Sequence, residues 1–270
     1  MQADSYFKIG KTHKVCEDYA SHKGGDQPYL IVTDGCSSAT NTDIGSRILT
    51  KITEQELYKS YGNYPELFKT ILDNSAEIIN QLKVPYDALA ATLLFAKLDG
   101  KTIDVCAIGD GFILVKYKET LIIKEIKFKT NAPYYLKYKI INEESYLKQY
   151  PPDAEIHTTI YNGKEKTFTD IEHITLTKEK HWFSFSIDTE NLEFLAITSD
   201  GLGSFVKIET TNTSRIQVPI NPCEVSLNLM NFKNNTGEFL HRRCNKLFKS
   251  YEKEDKYHLD DFSMAVFYNG

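Results

Sequence analysis

Apolar and polar positions along this chain follow two different periods. Short apolar runs bounded by turn residues predict β-strands. The predicted strands are residues 29–33, 90–96, 102–108, 112–117, 121–128, 194–198 and 262–268. Elsewhere apolar residues recur every three to four positions, which predicts amphipathic helices. The predicted helices are residues 42–58, 65–82 and 238–253.

The order of these elements predicts an α+β fold. The strands within residues 90–128 follow one another with only short turns between them, which indicates an antiparallel meander. We expect one domain over residues 1–270, because the acidic motifs described below are spread from position 34 to position 260. The stretch 118–192, rich in Lys and Tyr, predicts the least regular structure and is expected to be a variable flap or insert.

Composition and charge narrow the class of protein. The chain is 41% hydrophobic and 26% charged, which is ordinary for a soluble globular protein. Its net charge of −5 argues against a general nucleic-acid binder, which would carry a basic field. The sequence has no apolar run of about 20 residues and no signal-peptide core, so we expect a cytoplasmic protein without a membrane partner. The five scattered cysteines form no Cys-x-x-Cys pair and are expected to be reduced thiols.

Acidic residues recur where apolar runs that predict strands end. These motifs are Asp34-Gly35, Asp110-Gly111, Asp200-Gly201 and Asp260-Asp261. A strand delivers its last side chain to a fixed place at the rim of a sheet, and the following Gly lets the backbone turn sharply. Converging carboxylates repel one another unless a cation lies between them, and hard oxygen ligands suit Mg²⁺ or Mn²⁺. Asp-Gly is also common turn sequence, as expected at Asp99-Gly100, so each pair alone is open to that interpretation.

Six motifs follow one another over residues 10–268. They are Gly10–Ala20 with its Glu17-Asp18 pair, Val32–Gly35, Ala91–Leu94, Ile108–Gly111, Thr198–Leu202 and Asp260–Ser263. In this order they resemble the protein phosphatase 2C family, the metal-dependent serine/threonine phosphatases, and in particular its bacterial-type members. The resemblance implies a central sandwich of two antiparallel β-sheets flanked by α-helices on both faces, with a metal cleft at one end.

The resemblance also implies a set of metal ligands. Asp34 would bridge two Mg²⁺ or Mn²⁺ ions, and the Gly35 carbonyl would bind one of them. Asp200 and Asp260 would hold the other ion, with Asp261 as the alternative to Asp260.

Other matching positions would orient water, phosphate or a third ion. Glu17 and Asp18 would orient metal-bound waters, and Asp110 is either a ligand of a third ion or a hairpin-turn residue. His13 stands where many family members have a phosphate-binding Arg. It could donate to phosphate, protonate the leaving group or make a structural hydrogen bond. Cys36 replaces a His that eukaryotic members often have after Asp-Gly.

The implied function is hydrolysis of phosphoserine and phosphothreonine in proteins by a metal-activated water, without a phosphoenzyme. The expected partners are phosphorylated proteins and a cognate kinase. The alternative is a catalytically silent, phosphatase-like binding module. The absence of the family's phosphate-binding Arg at position 13 is compatible with this alternative. A two-metal phosphodiesterase or nuclease also uses clustered carboxylates, but the acidic charge disfavours it. The seven lysines of residues 116–139 are either a solvated strand face or a basic flap beside an anionic substrate.

Overall fold

The computed structural model of the chain describes residues 1–59, 62–141, 143–150, 153–177, 179–210 and 214–270. Its strands are β1 (Gln2–Lys8), β2 (Tyr19–Lys23), β3 (Tyr29–Thr33), β4 (Leu93–Asp99), β5 (Thr102–Ile108), β6 (Gly111–Tyr117), β7 (Thr120–Phe128), β8 (Asp153–Asn162), β9 (Glu165–Thr175), β10 (Phe183–Asp188), β11 (Phe194–Thr198), β12 (Phe205–Thr210), β13 (Arg215–Pro219), β14 (Lys256–His258) and β15 (Phe262–Tyr268). Its α-helices are α1 (Thr42–Glu56), α2 (Tyr64–Leu82), α3 (Tyr138–Ile141), α4 (Glu143–Gln149), α5 (Pro222–Leu229) and α6 (Phe239–Glu252), and 3₁₀ turns cover Tyr86–Leu89 and Asp200–Gly203.

Two antiparallel sheets face each other at the centre of the fold. One has the strand order β1-β15-β11-β6-β7-β8-β9, and the other has the order β10-β5-β4-β3-β2. Helices α1 and α2 pack on the second sheet, and α5 and α6 cover the first. The strands β13-β12-β14 form a small third sheet. The expected α+β sandwich with helices on both faces is therefore confirmed.

Alternating side chains of the central strands enter two separate cores. On β11, Leu195 and Ile197 belong to the core between the sheets, whereas Phe194 and Ala196 belong to the core beneath α5 and α6. Strands buried on both faces are apolar at nearly every position. This is why β3, β5, β11 and β15 have the bounds that their apolar runs predict.

Polar groups fix where the long helices begin. Asn63 caps α2 by accepting a hydrogen bond from the Glu66 amide at 3.3 Å, and Pro65 occupies its first turn. The cap of α6 comes from a distant part of the chain, because Asp4 of β1 accepts from the Leu240 amide at 2.7 Å. The cap thereby ties the N-terminal strand to the last helix.

The stretch 118–192 is more regular than predicted. It contains β7, β8, β9, β10 and the short helices α3 and α4, while residues 142, 151–152 and 178 within it lie outside the described residues. Strand β9 forms a sheet edge and is exposed along nearly its whole length. An edge strand that buries neither face has no apolar pattern, so the sequence carries no signal for it. Over the described ranges, no helix is both long and apolar enough to span a membrane.

The Gly109-Asp110-Gly111 connection is not the hairpin turn that the meander prediction placed there. Strand β5 belongs to the five-stranded sheet and β6 to the seven-stranded sheet, so the chain crosses between the sheets at Asp110. Gly109 and Gly111 have φ angles of +91° and +139°, which side chains with a Cβ rarely adopt. The meander prediction is wrong at this point, whereas Asp99-Gly100 does join β4 and β5 as a hairpin.

We predict that Gly45→Ala destabilises the fold, although Gly to Ala inside a helix usually stabilises by about 0.5–1 kcal/mol. A Cβ at Gly45 would lie 1.7 Å from the Ala88 carbonyl oxygen, so α1 must move away from the 3₁₀ turn. We expect a loss of about 1–3 kcal/mol in urea unfolding. The control is Gly203→Ala, where the nearest heavy atom is 3.8 Å away and stability should not change. Equal effects of the two changes would contradict this packing argument.

Candidate metal centre

Asp34 is positioned by the buried strand β3 and by backbone pairing to a neighbouring segment. The Thr92 amide donates to the Asp34 carbonyl at 2.8 Å, and the Asp34 amide donates to Thr92 Oγ1 at 3.2 Å. The Cys36 amide donates to the Ala90 carbonyl at 2.8 Å. Residues on both sides of Asp34 are therefore fixed, and its carboxylate is held at the end of the sheet.

Asp200 and Asp260 come from adjacent strands of the other sheet. Asp200 opens the 3₁₀ turn after β11, and Asp260 lies two residues before β15. Gly201 lets the two segments touch, because a Cβ there would lie 1.8 Å from the Asp261 carbonyl oxygen. The Ser199 amide also donates to the Ser263 carbonyl at 3.1 Å.

The strand-end acids meet at one cavity of about 170 Å³, here called the acidic cavity. Its lining includes Asp34, Gly35, Asp110, Asp200 and Asp260. The structure thus brings together five of the positions singled out from the sequence. They come from the ends of both central sheets and from the crossover between them.

Asp18 lies directly behind this cavity and is 1% exposed. Both carboxylate oxygens of Asp18 are buried, and neither has a protein donor among the described residues at hydrogen-bonding distance and angle. Burial, reinforced by Asp200, raises the pKa of Asp18 to about 7. Burial and Asp200 also raise the pKa of Asp110 to about 8, and burial with Asp18 and Asp200 raises the pKa of Asp34 well above its usual range. Without a cation, these carboxylates hold protons that ordinary aspartates lose.

These observations fit a centre for hard divalent cations. The donors are carboxylate oxygens and the Gly35 carbonyl, which are the ligands that Mg²⁺ and Mn²⁺ prefer. Among the described residues, no three acids around the cavity bring ligand atoms within 4.8 Å of one another.

His13 and Glu17 lie beside the cavity and do not line it. The ring of His13 is held between two acids, with Nε2 3.1 Å from Asp260 Oδ1 and Nδ1 3.2 Å from Asp261 Oδ2. Burial alone would lower the pKa of His13, but Asp261 and Asp260 outweigh it and raise the pKa. Glu17 is fixed by Thr42, whose hydroxyl donates to Glu17 Oε1 at 2.6 Å.

Asp261 fastens the N-terminal segment to the last strand. It is 2% exposed, and it accepts hydrogen bonds from the Gly10 amide at 2.7 Å and the Glu17 amide at 2.6 Å. His13, Glu17 and Asp261 form a group whose ligand atoms lie within 4.8 Å of one another. Protein donors already use the Asp261 oxygens, so this arrangement favours Asp260 over Asp261 as a ligand.

Tyr135 and Asn131 also line the acidic cavity, although no motif in the sequence singles them out. Tyr135 is 7% exposed, and burial together with nearby Cys36 and Asp110 raises its pKa. Both residues come from the loop after β7. Only the tertiary fold brings this loop over the ends of the strands, so no sequence motif predicts that its residues line the cavity.

A larger cleft of about 620 Å³ adjoins the acidic cavity and shares Asp110, Asn131, Asp200 and Asp260 with it. Most of the seven lysines of residues 116–139 lie elsewhere and pair with surface acids. Examples are Lys116 with Glu193 at 3.1 Å and Lys137 with Asp87 at 2.9 Å. This favours the solvated-face interpretation for most of them.

Comparison with known proteins agrees with this architecture. Residues 10–129 match the sequence profile of the family described as Protein phosphatase 2C. No curated protein matches the chain. This match supports the resemblance over the first four of the six motifs, which all lie within residues 10–129.

Solved structures show the fold over the whole chain. The serine/threonine phosphatase Stp1 from Staphylococcus aureus has 14% identity and a TM-score of 0.51, covering 98% of this chain and 93% of that one. The Mycobacterium tuberculosis serine/threonine phosphatase PstP/Ppp has 12% identity and a TM-score of 0.52, with coverages of 98% and 97%. PppA of Pseudomonas aeruginosa, described as a key regulatory component of T6SS, has 12% identity and a TM-score of 0.56, with coverages of 99% and 97%. The chain therefore has the fold of bacterial serine/threonine phosphatases.

We predict that Asp261→Asn destabilises the protein by about 1–3 kcal/mol. Only one carboxamide oxygen remains to accept from the Gly10 and Glu17 amides, and the new amide group would face a donor. Urea unfolding measures the loss. The control is Asp170→Asn on the exposed strand β9, which should leave stability unchanged. An Asp261→Asn protein as stable as the wild type would show that this link contributes nothing.

We also predict that the acidic cavity makes the metal-free protein less stable as pH rises. Asp110 has a folded pKa of about 8 and an unfolded pKa near 3.8, so the folded state binds more protons between these values. Below pH about 4, the raised pKa of Asp110 does not lower the free energy of unfolding. Between pH about 4 and pH about 8, it lowers this free energy increasingly as pH rises. In urea unfolding with EDTA, Asp110→Asn should therefore gain stability relative to wild type from pH 5 to pH 8. A difference that stays constant with pH would contradict the raised pKa.

Proposed function

We propose that this chain is a metal-dependent phosphatase that hydrolyses phosphoserine and phosphothreonine monoesters of proteins. The observation that carries the proposal is the meeting of Asp34, Asp110, Asp200 and Asp260 at one cavity, with buried Asp18 behind it. The fold and the family match of residues 10–129 support it. We extend the family assignment to one domain over residues 1–270.

The residues around the cavity would hold two Mg²⁺ or Mn²⁺ ions. Asp34 would bridge them, the Gly35 carbonyl would bind one, and Asp200 and Asp260 would bind the other. Asp110 would serve a third ion. Bound ions of this kind lower the pKa of coordinated water and neutralise charge on phosphoryl oxygens.

Glu17 and Asp18 would orient the attacking water. The Thr42 hydroxyl and the Glu17 backbone contact with Asp261 hold Glu17 in place. Glu17 Oε2 lies 4.0 Å from His13 Nδ1, beyond hydrogen-bond distance, so it can still accept a hydrogen bond from water. Asp18 has unpartnered oxygens that can accept hydrogen bonds from water at the back of the site. Attack by water on phosphorus releases phosphate and the Ser or Thr hydroxyl directly, without a phosphoenzyme.

His13 would act as a positioning residue. Both of its ring nitrogens face carboxylates, so it holds Asp260 against the N-terminal segment and is poorly placed to donate to phosphate or to a leaving group. This favours the structural one of the three roles open to it from the sequence.

The adjoining cleft would take the phosphorylated segment of a protein substrate. Its walls include the exposed Pro219 together with Phe112, Phe128 and Ile220, which are almost completely buried. Substrates would be phosphoproteins, and a kinase acting on the same proteins is the expected counterpart. We place such an enzyme in the cytoplasm.

We predict metal-dependent release of phosphate from a phosphothreonine peptide, abolished by EDTA. Asp34→Asn and Asp200→Asn should each lower kcat by about 10²-fold or more, because each removes charge that stabilises bound cations and, through them, the transition state. Asp170→Asn is the matched control and should retain wild-type activity. Calorimetry with Mn²⁺ measures binding separately.

The two measurements separate the competing functions. Mn²⁺ binding by the wild type without turnover on any phosphomonoester would favour the catalytically silent binding module. Turnover of a bis-ester but not of a mono-ester would indicate a phosphodiesterase. Absence of Mn²⁺ binding would mean that the strand-end acids are turn residues, and the proposal would be wrong.

A further inference from the structure

Lys127 lies beside the acidic cavity, where a phosphate dianion needs positive charge in addition to bound cations. The cavity and the adjoining cleft share Asp110, Asp200 and Asp260, all of which repel a phosphate oxygen. An Arg or Lys that reaches the phosphoryl group offsets this repulsion and orients the ester.

His13 cannot easily meet this need. Its two ring nitrogens lie 3.1 Å and 3.2 Å from carboxylate oxygens of Asp260 and Asp261, and its side chain is only 19% exposed. A phosphate bound there would have to displace one of these carboxylates.

Among the described residues that line the cavity and the cleft, Lys127 is the one Lys or Arg. The pairing of β6 with β7 sets Gly111 opposite Ile126, so Asp110 and Lys127 are the next residues outward on the two strands. Lys127 therefore lies at the same end of this strand pair as Asp110, and both residues line the cleft.

The ammonium group of Lys127 remains accessible to a ligand. Its side chain is 53% exposed, and its Nζ lies 3.0 Å from Glu125 Oε1 in a surface ion pair. Such pairs contribute little free energy, so a phosphate can replace the carboxylate. Glu125 also lines the cleft and competes with phosphate for Lys127.

We propose that Lys127 binds the phosphoryl group of the substrate, the task for which His13 is not free, and that Glu125 weakens this binding. This inference rests on the proposed function in naming a phosphate ester as the ligand. It concerns substrate binding, and the ligation of the metal ions does not depend on it.

The test is calorimetric binding of inorganic phosphate to the whole protein in Mg²⁺, with Mg²⁺ affinity measured separately. Lys127→Met should weaken phosphate binding about tenfold or more, because it removes a charge-assisted contact. Lys127→Arg should restore most of the affinity, and Glu125→Gln should increase it. Mg²⁺ affinity should not fall in Lys127→Met, because the change removes a positive charge and no acidic group.

Lys129→Met is the matched control. Lys129 follows β7 directly, is 47% exposed and lies 4.0 Å from Glu155, but it does not line the cleft. If Lys127→Met and Lys129→Met lose phosphate affinity equally, the effect is one of general surface charge and the inference is overturned. Wild-type affinity in Lys127→Met would overturn it too.

Turnover of the phosphothreonine peptide distinguishes the two proposals. One outcome is that the wild type turns over the peptide while Lys127→Met changes neither phosphate affinity nor KM. That result would refute the role of Lys127 and leave the phosphatase function supported. Phosphate binding that depends on Lys127 without wild-type turnover would keep the role and refute hydrolysis. A wild type that neither binds phosphate nor turns over the peptide would refute both.

Discussion

Repulsion among the carboxylates at one end of the sandwich is the constraint on which this structure depends. Asp18, Asp34 and Asp110 all have raised pKa values, since burial and neighbouring acids disfavour their charged forms. Only a rigid frame keeps such groups together. The frame here is the pair of central sheets, whose inner strands, such as β3 and β11, are buried on both faces.

The N-terminal segment is joined to this frame by a second acid, Asp261. By accepting the Gly10 and Glu17 amides, its carboxylate secures the segment that carries both Glu17 and Asp18. The adjacent residues Asp260 and Asp261 therefore have different roles. Asp260 lines the cavity, whereas the buried Asp261 accepts hydrogen bonds from the backbone. His13 bridges the two, which explains how an imidazole is accommodated at this position.

Positive charge near the site is correspondingly sparse. The lysines that gave residues 116–139 their basic character mostly pair with acids elsewhere on the surface. Lys127 differs because it lies at the end of β7 that lines the cleft, as Asp110 does. A charge count along the sequence cannot separate this one lysine from the others, because the difference lies in where the fold places each side chain.

Local sequence patterns were enough to predict the buried strands, the long helices and the acidic motifs at strand ends. Apolar runs and helical periodicity are local properties of segments such as β3 and α2. Tertiary structure alone decided the crossover at Asp110, the exposed strand β9 and the place of Tyr135 over the cavity. Each of these depends on which distant segments pair. Pairing over such separations is set by the packing of the whole chain, and short patterns do not record it.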